Sequence, residues 1–250
     1  MPTIGSLFTG IGGIDLGFQQ AGFTIEWQVE IDPFCNHILE KRWPNTLRIK
    51  DIRQAINLKP VNCLVGGFPC QDVSTAGKRL GLSGNRTSLW SEMARIISEL
   101  RPKCIFIENV STIRNKDTDV FEKVLWDLAA LRYDAEWHCV SASYLSAPHT
   151  RDRIWIVATD TLRCLCSTKQ ECQCTKMGWL QFALANGKIW EMARQLCGSW
   201  GIESTIPRAI DGLSVELDRF KVLGNAVIPA IPFVFAKVIN EHFTQCSLTT

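Results

Sequence analysis

The chain has no apolar run of membrane-spanning length, no charged-then-apolar leader at its N-terminus and no strong charge bias. The first two absences exclude a bilayer-spanning helix and an export signal, and the expected compartment is the cytoplasm. A net charge of +2 does not announce a nucleic-acid partner by itself; that would require a local basic face, which composition cannot show. Internal repeats, low-complexity stretches and Gly/Ser linkers are missing too, so nothing divides the chain into strung modules. Eleven cysteines is an odd number, and without a leader a disulfide scaffold is not expected. The Asn85-Arg86-Thr87 and Asn109-Val110-Ser111 triplets match the glycosylation pattern but carry no meaning in a chain that is not exported. What remains is an ordinary globular composition, 46% hydrophobic and 21% charged over 250 residues. That suffices for one large domain, or a domain with a small appendage.

Short apolar runs alternate with helix-like segments through about residue 158, the pattern of βαβ units. Strands are expected at 4–8, 25–30, 63–66, 104–108, 135–140 and 154–158. Helices are expected at 14–21, 34–43, 88–100 and 121–131, the third stopped by Arg101-Pro102. The fold class is therefore α/β, a mainly parallel doubly wound sheet. From Thr159 to about Thr205 the pattern breaks, and five cysteines and three tryptophans crowd a stretch that reads as a small irregular appendage. Regular order resumes at Arg208 and closes with an apolar helix over 229–243. The division expected is 1–158 for the main domain, 159–207 for the appendage and 208–250 for the return to the main sheet.

Two turns carry chemistry. Phe8-Thr9-Gly10-Ile11-Gly12-Gly13 follows the first strand and opens a helix, where glycines allow close backbone approach to a ligand. Glu30 ends the second strand about 20 residues on, the place where such folds set an acid on ribose hydroxyls. Asp51, after another short β-like run, is positioned to face an adenine amino group. Together they argue for a nucleoside-containing cofactor without choosing between a nicotinamide dinucleotide and S-adenosylmethionine, although Gly-x-Gly-Gly lacks the third glycine of dinucleotide folds. The second turn is Gly66-Gly67-Phe68-Pro69-Cys70-Gln71, directly after the apolar run from Val61 to Val65. It puts a thiol on a stiff loop at the sheet's carboxyl edge, where open α/β sheets bind ligands. Alone, Pro69-Cys70 reads more readily as a buried structural cysteine.

Five blocks occur in one order: 8–13 with its glycines, 67–74 around Pro69-Cys70, Glu108-Asn109-Val110, Arg151-Asp152-Arg153, and Gly224-Asn225-Ala226-Val227. Together they resemble the DNA (cytosine-5)-methyltransferase family of compact bacterial or phage type. The matching blocks span 4–158 and about 207–240. The resemblance implies a Rossmann-like, S-adenosylmethionine-dependent fold and methyl transfer to C5 of a flipped cytosine. It makes Cys70 the nucleophile toward C6, Glu108 the acid at N3, Arg153 the ligand of the ring O2, and Arg151 a support for the loop or a phosphate. His149 stands where the family usually has Gln, which puts that support role in question. For the cofactor it implies Phe8 against the adenine, Gly10, Gly12 and Gly13 at the methionine end, and Glu30 with Ile31 at the ribose. Asp51 and Ile52 would flank the base, and Leu89, Asn225 and Ala226 would close the pocket. The final helix would pack beside the first. Ser74, Lys78, Arg79 and Arg86 would meet phosphates on a loop that closes over double-stranded DNA. A restriction–modification, phage or orphan setting follows, with a cognate restriction endonuclease as functional companion in the first, and a monomer.

In that family the stretch before Gly224-Asn225 carries DNA recognition, so 159–207 takes that role here, in unusually short form. Its Cys164-x-Cys166 and Cys172-x-Cys174 pairs could supply four thiolates, but the one-residue gap is shorter than structural zinc sites use and no His completes a pattern. No metal is assigned. Trp179, Trp190 and Trp200 read as core. Competing functions are RNA cytosine methylation, a non-catalytic DNA-binding relative, disfavoured by the presence of Cys70 and Glu108, and a nicotinamide oxidoreductase, disfavoured by the turn and the Pro-Cys loop.

Overall fold

The computed structural model describes residues 1–69, 87–115, 119–146, 151–161, 183, 185–197 and 227–247. Among the described residues seven strands form one sheet: β1 (Thr3–Leu7), β2 (Thr24–Val29), β3 (Leu47–Ile49), β4 (Cys63–Gly66), β5 (Cys104–Val110), β6 (Tyr133–Ser141) and β7 (Asp152–Asp160). Their order is β3-β2-β1-β4-β5-β7-β6. All neighbouring pairs from β3 to β5 are parallel, while β7 runs antiparallel to both β5 and β6. Six strands therefore share one direction, as a mainly parallel doubly wound sheet requires. The reversal of β7 has no signature in hydrophobic periodicity.

Parallel strands buried on both faces read as unbroken apolar runs. Cys63–Gly66 and the first four residues of β5 are buried throughout. From β1 the chain first builds outward through β2 and β3, then crosses back to β4 and β5. The carboxyl ends of β1 and β4 therefore flank the point where winding changes direction, the place where such sheets bind ligands.

Among the described residues six helices cover the sheet: α1 (Gly13–Gln20), α2 (Pro33–Arg42), α3 (Thr87–Leu100), α4 (Val120–Ala130), α5 (Gly187–Cys197) and α6 (Ala230–Ser247). On one face Phe18 of α1, Phe106 of β5, Trp155 of β7 and Phe235 of α6 interlock, with Phe106 5.2–5.6 Å from the other three ring centroids. On the other, Trp90, Met93 and Ile97 of α3 and Phe121 and Val124 of α4 pack on Leu64, Ile105 and Ile107.

Helix α6 lies along α1, as the family resemblance implies. A Cβ on Gly17 would stand 2.4 Å from the Pro229 carbonyl oxygen and 2.8 Å from the Phe233 nitrogen, so the two backbones touch there. Helix α5 falls within the stretch where no regular element is expected. Its Ile189, Trp190 and Ala193 are buried in the same core face as α6, so Trp190 is core. Among the described residues no helix is long and apolar enough to cross a membrane, and Cys63, Cys104 and Cys139 are free thiols.

Candidate active site

The glycine turn leaves β1 through left-handed backbone at Phe8 (φ 53°), Gly10 (φ 57°) and Gly12 (φ 82°). Glu30 ties it in place, accepting from the Gly10 N–H at 2.6 Å with one oxygen and from the Asp32 N–H at 2.8 Å with the other. Burial pushes the Glu30 carboxyl above its ordinary range, against those two backbone donors. A Cβ on Gly10 would project into open space, whereas one on Gly13 would meet the Val227 carbonyl oxygen at 2.4 Å. At Gly12 the space of the missing side chain is filled by the Trp43 ring at 2.4 Å, and Gly12 is not among the residues lining the cavity described below. Its glycine serves the turn and the packing of α2.

Beneath the turn lies a buried polar network. Asp15 in the first turn of α1 accepts from Ser6 Oγ of β1 at 2.8 Å and from Gln28 Nε2 of β2 at 2.9 Å. Burial raises its carboxyl to about 6, opposed by those hydrogen bonds.

The third edge of the site follows β3. Asp51 accepts from the Arg53 N–H at 3.0 Å, opening the 3-10 turn Ile52–Gln54, and pairs with the Arg53 guanidinium at 2.9 Å. Hydrogen bonds from Arg53 hold the Asp51 carboxyl below its ordinary value. Arg95 of α3 braces this turn, donating to the Ile52 and Ala55 carbonyls at 3.2 Å each.

On the opposite wall, at the end of β5, Glu108 pairs with Arg153 Nε at 2.8 Å. Antiparallel pairing of β5 with β7 sets Val110 opposite Arg153, which brings the two side chains to one edge. Burial raises the Glu108 carboxyl, and the charges of Arg153 and Arg151 oppose the rise. Burial and the neighbouring Arg153 charge lower the basicity of Arg151. Glu108 lies against the backbone of Gly67, where a Cβ would meet its Oε2 at 2.8 Å. Asn109, buried, donates to the Phe68 carbonyl at 3.1 Å and accepts from the Val110 N–H, fastening the loop after β4 to β5.

These walls enclose one cavity of about 620 Å³, within the range of small-molecule sites. Of the residues expected at the site, Phe8, Gly10, Gly13, Glu30, Ile31, Asp51, Ile52, Leu89, Glu108, Arg151 and Arg153 all line it. Pro69, the residue before Cys70, lines it too. Cys70, Asn225 and Ala226 lie outside the described residues, as do Ser74, Lys78, Arg79, Arg86, His149, Trp179, Trp200 and the Cys164–Cys174 pairs. Sequence reasoning missed Thr9, Ile11, Asp32, Cys35, Lys50, Arg53, Thr112 and Val227 as lining residues. Most sit within two positions of a motif residue, so the signal was adjacency rather than residue type.

The donor set fits a nucleoside-bearing ligand. Phe8, Ile31, Ile52 and Leu89 give apolar walls, Glu30 and Asp51 give acceptors, and the bare Gly10 backbone admits close approach. Two features therefore meet in one space: a glycine cradle, and a half-buried acid–guanidinium pair next to the Pro69 loop.

Comparison with known proteins points to the same chemistry. The family model for C-5 cytosine-specific DNA methylase matches residues 3–181. The Type II methyltransferase M.AquIA of Picosynechococcus sp. is 33% identical over 172 residues, covering 61% of this chain and 69% of that protein. The Type II methyltransferase M2.BsuMI of Bacillus subtilis is 35% identical over 162 residues, covering 62% of this chain but 41% of that protein. Among solved structures, a DNA modification methyltransferase encoded within an E. coli prophage superposes with a TM-score of 0.54 at 27% identity, covering 64% of this chain and 47% of the other. The Entamoeba histolytica methyltransferase EhMeth superposes with a TM-score of 0.55 at 23% identity, covering 64% and 53%, a likeness of fold. The chain thus aligns with only about half of each of these two structures and with less than half of the Bacillus protein.

Proposed function

The chain belongs to the C-5 cytosine-specific DNA methylase family, and from that premise we propose that it transfers a methyl group from S-adenosylmethionine to C5 of a cytosine flipped out of duplex DNA. The observation that carries this reading is the half-buried Glu108–Arg153 pair, set against the Gly67 backbone in the cavity that also holds the glycine turn.

The division of labour follows from the chemistry of the base. Cytosine C5 is a poor nucleophile until something adds to C6, and a thiolate does so well. Cys70, one residue past a cavity-lining proline, takes that role. Addition places negative charge on N3 and O2. Glu108, its carboxyl raised by burial, donates a proton at N3. Arg153, which already holds Glu108 through Nε, offers its remaining N–H donors to O2. Arg151 adds positive potential at the same wall and supports the loop. Asn109 keeps the Phe68 carbonyl, and hence the approach to Cys70, in register with the acid. Elimination of the thiol after loss of the C5 proton restores the ring.

On the cofactor side Phe8, Gly10, Gly13, Glu30, Ile31, Asp51, Ile52 and Leu89 would hold the methyl donor, with Asn225 and Ala226 closing the pocket. When bound, S-adenosylmethionine supplies an electrophilic methyl group. A stacked target base is out of reach of a thiol at the sheet edge, which is the reason for base flipping. Residues 159–207 are read as the segment that recognises DNA sequence, 1–158 and 208–250 as the catalytic part, in a monomer of restriction–modification, phage or orphan type.

The test is transfer of labelled methyl from S-adenosylmethionine to mixed-sequence duplex DNA, with tRNA as the alternative acceptor, for the wild type and Cys70→Ala. Label recovered as 5-methylcytosine in DNA and lost with Cys70→Ala is the expected result. Label on tRNA alone would replace DNA by RNA as substrate. Label on DNA that survives Cys70→Ala would remove the covalent mechanism.

A further inference from the structure

One carboxylate has no part in the reaction above. Asp15 is wholly buried and clamped between Ser6 of β1 and Gln28 of β2, which are cross-strand partners. Among the described residues it forms no ion pair, whereas buried Asp160 has Arg101 at 2.7 Å and Glu108 has Arg153. Gln28 Oε1 is buried and has no hydrogen-bond partner among the described residues. Burying a carboxylate with no counter-charge is costly, and an isosteric neutral residue would keep the shape without that cost.

The network also reaches the cavity. Thr9, which lines it, donates to Ser6 Oγ at 3.1 Å, and Ser6 Oγ donates to Asp15. Gly13 and Ile14, directly before Asp15 in the chain, are lining residues as well. A charge seated on the turn therefore stands two hydrogen bonds from the carboxylate, on the order of 6–9 Å away. In a medium much less polarisable than water, attraction over that distance persists.

We propose that Asp15 is the buried counter-charge for a cationic ligand on the glycine turn, selecting a sulfonium over the matching neutral thioether. It would thereby favour the methyl donor over the demethylated product. This rests on the reading of the cavity as an S-adenosylmethionine site. Contacts to adenine, ribose and the methionine chain are common to donor and product, so the charge effect isolates itself in the ratio of the two affinities.

Calorimetric titration with S-adenosylmethionine and S-adenosylhomocysteine at neutral pH, for wild type, Asp15→Asn and Ser6→Ala, tests it. Asp15→Asn should lower the donor-to-product affinity ratio about 5–20-fold, chiefly by weakening the donor. Ser6→Ala removes a hydrogen bond but keeps the charge, and should leave the ratio within about twofold. Equal weakening of both ligands in Asp15→Asn would overturn the proposal and leave Asp15 a shaper of the turn. Failure of the wild type to bind either ligand would overturn the cofactor reading and this proposal with it. The asparagine variant keeps the side-chain shape and sheds a desolvated charge, so loss of folding is not the expected outcome.

Discussion

Glu108 stands between two opposed influences: burial, which favours its protonated form, and the Arg153 and Arg151 charges, which favour the ionised one. A proton donor must be poised in this way, and a structural ion pair need not be. Glu108→Gln keeps the shape and loses the transferable proton, so single-turnover methyl transfer should fall about 10²–10⁴-fold. Cofactor affinity, measured separately, should stay within about twofold of wild type; a turnover loss below tenfold would remove Glu108 from the acid role. Asp15 makes a different claim at the same scale. Its carboxyl lies at about 6 in the folded state against an ordinary 3.8, so the native state holds the proton more tightly than the unfolded chain. Stability from this group is fully present below the lower value and is lost as pH rises through the higher one, roughly 3 kcal/mol in all. Glu30 and Glu108 shift in the same direction and Asp51 in the opposite one. The informative quantity is therefore wild type minus Asp15→Asn, from urea midpoints on either side of that window. Asp15→Asn should be the more stable at neutral pH and lose its advantage in acid; a pH-independent difference would refute the assignment. Ser6, Thr9 and Gln28, the side chains around Asp15, do not titrate in this range.

Helix α2 shows what local chemistry decides at the scale of an element. Asp32 caps it, accepting from the Phe34 and Cys35 N–H groups at 2.8 and 3.1 Å, with Pro33 at the first helical position. That start is written in the sequence as Asp-Pro, and the expected and observed bounds differ by one residue. The same Asp32 gives its own N–H to Glu30, which in turn holds the Gly10 N–H. That N–H survives the substitution, but losing the cap frees the backbone that carries it, so removing the cap acts on the site as well as on the helix. Asp32→Ala should cost about 1 kcal/mol in chemical denaturation and also weaken S-adenosylmethionine binding, while Cys70-dependent chemistry at saturating cofactor stays near wild type. Unchanged cofactor affinity would mean that the residue-32 N–H keeps its place against Glu30 without the cap. Where element signals were faint, the reason is equally physical. Strand β3 is only three residues long, too short for alternation to register. Helix α5 has apolar residues at 189, 190, 193 and 196, a usable helical spacing, but the cysteine-rich stretch before it hides the start. The antiparallel course of β7 depends on which edge of β5 remains open, and no local pattern records that.

At the scale of the whole molecule, the legible part of the design was the sheet edge. The runs 63–66 and 104–107 are buried on both faces, so their sequence had to be continuous and apolar, and the motifs at their ends inherited one common location. The partnership of Asp15 with Ser6 and Gln28, and of Arg95 with the turn at Ile52, was not legible, because each depends on strands and helices being assembled first. Closure by α6 is also long-range, yet the family resemblance implied it: it joins residues more than 200 positions apart and brings Val227 against Gly13 of the glycine turn. Gly17 tests that closure. Replacing a helical glycine by alanine ordinarily stabilises by up to about 1 kcal/mol. Here the added Cβ would lie 2.4 Å from a backbone carbonyl that cannot rotate away. Relief requires α1 and α6 to separate, and overpacking of this kind costs about 1–3 kcal/mol. Gly17→Ala should therefore lower the Tm by about 2–8 °C and weaken S-adenosylmethionine binding through the displaced Val227. A thermal scan and a cofactor titration of one variant read both effects. A raised Tm would mean that the two helices part without penalty, and a lowered Tm with unchanged cofactor affinity would show that α6 secures the core without shaping the site.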